Sequence, residues 1–103
     1  MTEVGMCPAT IIADFMNPSG DAVRAAVEVS LRAGATAAST WTLHIPALGG
    51  LAAAAKWLNS SGMRTGCVEA AANWANTDQA AAQQEGRQMA EAAAALEAPL
   101  IMA

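Results

Sequence analysis

Charge is scarce in this chain: Asp, Glu, Lys and Arg supply 14% of its 103 residues, against a typical quarter. The five cations stand singly at Arg24, Arg32, Lys56, Arg64 and Arg87, and the formal net charge is −4. Without a basic patch, binding to a nucleic-acid backbone is disfavoured. Long apolar runs are missing too. The apolar stretches are Ala-rich and broken by Gly, Pro or Ser, well short of the roughly 20 residues that span a bilayer. The opening Met1-Thr2-Glu3-Val4-Gly5 has no basic region of the kind that begins a secretory signal. A cytoplasmic protein without a membrane partner is expected.

Cysteine and histidine are equally sparse. Cys7 and Cys67 have neither CxxC nor metal-finger spacing, and Cys67, inside an apolar run, reads as a small buried hydrophobe. His44 is the single histidine. Several catalytic signatures are absent as well. Asn17-Pro18-Ser19-Gly20 carries one Gly where a dinucleotide fingerprint needs three, and no GxxxxGK[ST] loop or GxSxG elbow occurs. Nucleotide cofactors held by such motifs and serine-hydrolase chemistry are therefore disfavoured.

A repeating pattern is what the chain does have. A short apolar run, a turn and a helix of about four turns recur three times: 10–15 then 19–34, 36–43 then 47–62, and 64–70 then 77–98. A fourth apolar segment, 99–103, follows. A strand returns parallel to its predecessor only through a crossover, and here the helix is that crossover. The expected fold class is therefore α/β, with about three and a half βα units and a parallel sheet in order 1-2-3-4. About a quarter of the residues are Ala, which favours helix but buries little area per residue.

Individual helices support this reading. Val23, Val27 and Leu31 form one stripe, with Glu28 and Arg32 as an i,i+4 pair. Ser19 or Asp21 suits the N-cap, and Gly34 suits a left-handed closing residue. Leu48, Leu51, Ala55 and Leu58 form the second stripe, closed by Gly62. Ala82, Met89, Ala93 and Leu96 form the third, where Glu97 stands in the closing place that Gly holds in the earlier units. The scattered methionines read as core filler.

In parallel α/β architectures ligands bind at the carboxyl ends of the strands. The candidate substrate-binding residues are therefore Asp14, Trp41, His44, Glu69 and Trp74. His44 follows a strand directly and suits acid–base work or a hydrogen bond to a substrate oxygen, whereas a lone His has no partner in sequence for a metal site. Glu69, on an otherwise apolar strand, must face a polar cavity or a partner. Asp14 either binds ligand or caps the turn at 17–20. Trp41 and Trp74 suit a sugar cleft or a lid over the core.

The text Val29-Ser30-Leu31-Arg32-Ala33-Gly34-Ala35-Thr36-Ala37, the helix end Leu58-Asn59-Ser60-Ser61-Gly62-Met63-Arg64 and the stretch from Gln83 through Ala98-Pro99 to Ala103 together resemble the N-terminal half of xylose isomerase-like barrels, the sugar phosphate isomerase/epimerase group. The resemblance implies one domain over residues 1–103, part of a (β/α)8 TIM barrel continuing beyond it. It also implies a parent enzyme that moves a proton or hydride between adjacent carbons of a sugar or polyol. A divalent metal is implied for the parent, held mainly by later strands, so no metal ligand, no catalytic residue and no activity of the chain alone is assigned. The alternatives are a fragment of another TIM-barrel enzyme or a self-associating half-barrel that binds without catalysis.

Overall fold

Ser19 starts the first helix as its sequence position predicts: its Oγ accepts a hydrogen bond from the Ala22 N–H at 3.1 Å, satisfying one of the donors that a helix start leaves free. From such local signals the chain builds an alternating succession, and the computed structural model describes residues 4–69 and 79–102 of it. The order is β1 (Gly5–Met6), a 3-10 turn (Pro8–Ile11), α1 (Gly20–Arg32), β2 (Ala37–Trp41), two more 3-10 turns (Thr42–His44 and Pro46–Leu48), α2 (Leu51–Ser61), β3 (Arg64–Glu69), α3 (Gln79–Ala95) and β4 (Leu100–Met102). The four strands form one parallel sheet in the order β1-β2-β3-β4. Positions 70, 77, 78 and 103 of the expected elements lie outside the described residues.

The first strand is not where the sequence places it. Residues 10–15 are apolar enough for a strand, yet they continue a 3-10 turn and the bend that follows it. Pro8 explains the change, because its ring fixes φ for the first turn of a helix and it has no N–H to give to a ladder. The Thr10 N–H and Oγ1 both bond back to the Cys7 carbonyl, at 3.1 and 2.8 Å. The sheet takes Gly5 and Met6 instead, opposite Ala37 and Ala38. Ile12 still reaches the core while Ile11 stays exposed.

One hydrophobic cluster joins the three helices to the sheet. Val23, Ala26 and Val27 of α1, Ala54 and Leu58 of α2, and Ala92 and Ala93 of α3, with Leu96 just beyond it, pack with Ala38 of β2 and Val68 of β3. Val68 and Ala54 are both 0% exposed. The expected stripes hold in outline, with Leu31, Leu51 and Ala55 partly buried at the cluster's margin. Because side chains alternate along a strand, the residues beside Val68, namely Cys67 and Glu69, project from the opposite face of the sheet. Cys67 is accordingly half-buried rather than a core residue, and its Sγ donates to Met102 Sδ at 3.8 Å. Among the methionines, Met63 and Met89 are core, whereas Met16 and Met102 are exposed.

Sheet register fixes which open-face residues are neighbours. Ser39 pairs with Cys67 and Trp41 with Glu69, after a shift between Ala38 and Ser39 that lets Gly66 bulge. Cys67 pairs with Leu100 and Glu69 with Met102. The open face therefore carries two rows, Ser39-Cys67-Leu100 and, nearer the carboxyl ends, Trp41-Glu69-Met102.

Helix ends repeat a single solution with different residues. At the end of α1 the Gly34 N–H bonds to the Leu31 carbonyl and the Ala35 N–H to that of Ser30, both at 3.0 Å, with Gly34 at φ +99°. After α3 the Glu97 N–H bonds to Ala94 and the Ala98 N–H to Ala93, with Glu97 at φ +54°. Both are Schellman closures, whose left-handed position favours Gly. The tight final turn forms despite Glu97. Among the described residues the ion pair that forms on α1 is Arg24–Asp21 at 3.4 Å, rather than Glu28 with Arg32.

Candidate functional site

Glu69 closes β3 on the open face, and three side chains from the two preceding strand ends converge on one of its oxygens. Its Oε2 accepts from the Ser39 hydroxyl, from Trp41 Nε1 at 3.1 Å and from Cys7 Sγ at 3.7 Å. These donors come from β2 and from the residue just after β1. Among the described residues its other oxygen, Oε1, accepts no hydrogen bond. Among the described residues the partners of Glu69 are thus neutral donors rather than a salt bridge.

An aromatic wall stands beside it. Phe15 meets the Trp41 ring edge-on at a centroid distance of 5.7 Å, and His44 stacks on Trp41 at 5.6 Å with 19° between planes. Edge-on and offset contacts of this kind suit the ring quadrupoles. Phe15 is exposed and Trp41 half-buried, so apolar ring surface flanks the carboxylate.

His44 lies beneath that wall, 3% exposed, with Nε2 at 2.8 Å from the Phe15 carbonyl. A carbonyl only accepts, so Nε2 carries the proton in this bond. The bond ties the segment after β1 to the end of β2. Asp14 is exposed and lines a different groove of about 570 Å³, between the segment after β1 and α1. Its backbone carbonyl accepts the Asn17 N–H at 3.2 Å, holding the turn. Trp74 lies outside the described residues.

Of the sequence candidates the structure thus brings Trp41, His44 and Glu69 together and places Asp14 apart. Sequence reasoning missed Ser39 and Cys7. The signal for Ser39 was present: two positions before Trp41 on a strand, it shares that residue's face. Cys7 had no such signal, because the strand it follows was expected elsewhere.

Among the described residues no three His, Cys, Asp or Glu side chains come together, Glu69 Oε2 is occupied by three donors, and His44 Nε2 is engaged with a carbonyl. No helix among the described residues is long and apolar enough to cross a membrane. No family model matches the chain, and no curated protein or solved structure matches it either.

Proposed function

We propose that this chain supplies the β1–β4 side of a (β/α)8 substrate cleft in a cytoplasmic sugar or polyol isomerase/epimerase, with Glu69 as the residue that receives a substrate hydroxyl or its proton. The observation that carries this reading is the convergence of Ser39, Trp41 and Cys7 on Glu69 Oε2 at the carboxyl ends of parallel strands. A carboxylate held through one oxygen presents the other at a fixed angle, which is what positioning of a hydroxyl, or of a proton in acid–base catalysis, requires. The exposed Phe15 and half-buried Trp41 rings suit the apolar faces of a sugar ring. A sequential parallel sheet with its helices in one layer is also how a (β/α)8 barrel begins. In this reading the divalent metal of such enzymes is bound by side chains other than Glu69 and His44, and no step is assigned to it.

Saturation-transfer NMR with D-fructose and D-xylose tests the reading. Millimolar binding by the chain, lost in Glu69→Gln while the fold persists by circular dichroism, is the expected result. Absence of binding to any sugar overturns it. A second reading, a self-associating half-barrel, is favoured by the exposure of Leu100, Ile101 and Met102 on the terminal strand of the sheet. Light scattering decides that one: a discrete dimer supports it and a monomer removes it.

A further inference from the structure

We infer that His44 is a positioning residue: it holds the Trp41 indole in the orientation that fixes the Glu69 carboxylate, and it works through that ring rather than by touching a ligand. The role belongs to the architecture of the Glu69 site and holds whatever ligand that site takes.

Local geometry brings the imidazole there. Trp41 ends β2 and leads into the 3-10 turn Thr42–His44, after which the Ile45 N–H bonds to the Thr42 carbonyl at 3.3 Å. Side chains three residues apart eclipse in such a turn. The His44 ring accordingly stacks on that of Trp41, with 5.6 Å between centroids and 19° between planes. Its Nε2–H donates to the Phe15 carbonyl at 2.8 Å, while the Phe15 ring meets Trp41 edge-on at 5.7 Å. Phe15, Trp41 and His44 thus close a triangle of one hydrogen bond and two ring contacts.

That triangle decides where the indole points. A tryptophan side chain turns about two torsions, and rotation about either carries Nε1 to a new place. With His44 stacked on it and Phe15 edge-on to it, the ring is held with Nε1 at 3.1 Å from Glu69 Oε2. His44 itself is 3% exposed, with one ring face against Trp41 and Nε2 committed to Phe15. Among the described residues the donors to Glu69 are Ser39, Trp41 and Cys7, so the influence of His44 on the carboxylate passes through the indole. A group held to a productive geometry depends in this way on neighbours that lock its rotamer.

His44→Phe and His44→Leu separate positioning from direct contact. Both lose the hydrogen bond to Phe15, and only Phe keeps a flat ring against Trp41. The indole proton–nitrogen NMR cross-peak of the full chain, assigned with Trp41→Phe, gives the readout, and circular dichroism checks that each variant is folded. The peak is expected to stay near its wild-type position in His44→Phe and to move toward that of a solvent-exposed tryptophan in His44→Leu. Glu69→Gln should shift the peak in the wild type and in His44→Phe, and at most about half as far in His44→Leu, the non-additivity of two residues coupled through a third. Titration with D-fructose should follow the same order, about tenfold weaker in His44→Leu and close to wild type in His44→Phe. An unmoved peak in His44→Leu, or sugar binding lost equally in both variants, overturns the inference. If D-fructose does not bind the wild type, the carbohydrate reading fails while the cross-peak still decides this one. Should both variants unfold, the wild-type protein decides: ring-to-ring nuclear Overhauser effects between His44 and Trp41, with Nε2 carrying the proton in the long-range spectrum, support the positioning role, and their absence removes it.

Discussion

The two faces of the sheet are made from the same strands yet follow different rules. On one, Ala38 and Val68 are sealed under three helices in a single cluster. On the other, Ser39, Trp41, Cys67 and Glu69 stay half-buried while Leu100 and Met102 are 61% and 53% exposed. The first face is built from methyl groups that fit one way. The second exchanges polar hydrogen bonds between neighbouring strands. The apolar core therefore lies on the covered face, and the polar side-chain contacts between strands lie on the open one.

The sharpest way to break this comparison is to cut the same side chain on each face. Leu58→Ala, in the covered cluster at 4% exposure, should cost about 3 kcal/mol through lost burial and a residual cavity. That lowers the melting temperature by roughly 15 °C in a domain of this size. Leu100→Ala on the open face should cost less than about 1 kcal/mol in the same thermal melt. Equal losses would mean that the open face is packed in solution.

Removing Glu69 tests whether the open face has structure of its own. Glu69→Ala leaves the Ser39 hydroxyl and the Trp41 indole without their acceptor, at a cost of about 1 kcal/mol. The indole resonance should move toward that of a solvent-exposed tryptophan. An unmoved resonance would detach Trp41 from Glu69.

On the covered side, the ends of α1 and α3 allow the comparison to be sharpened within one layer. Glu97 occupies the left-handed position that Gly34 fills after α1. Since that conformation costs a non-glycine residue roughly 1–2 kcal/mol, Glu97→Gly should raise stability by about 1 kcal/mol in urea melts, and Gly34→Ala should lower it by a similar amount.

The smallest effect expected is none at all. Cys7 and Cys67 line one groove on the open face with Ser39 between them. Two strand spacings, about 9.5 Å, exceed the reach of a disulfide. Mild oxidation should leave two titratable thiols per chain and an unchanged melt.

Most of the framework was legible because it is repeated. Helix starts at Ser19, closures at Gly34 and Gly62, and the alternation of apolar runs with helices specify a sequential parallel sheet. The first strand was not legible, since Thr10 to Phe15 has strand composition and only the geometry imposed by Pro8 diverts it. In the site, Glu69 and Trp41 were visible as polar or amphipathic residues at strand ends. His44 drew attention as a lone titratable group, and its bond to the Phe15 carbonyl depends on a turn that no local pattern announces. Ser39 was hidden by its ordinariness, although strand alternation places it beside Trp41.

The sheet order has a consequence for how the chain folds. Gly5 pairs with Ala37, Ser39 with Cys67, and Cys67 with Leu100, so each pairing joins positions about thirty residues apart and none joins the first strand to the last. Loop-closure entropy is therefore paid in three similar instalments rather than in one long one. As the chain is synthesised, each strand after the first has a neighbour earlier in the sequence to pair with.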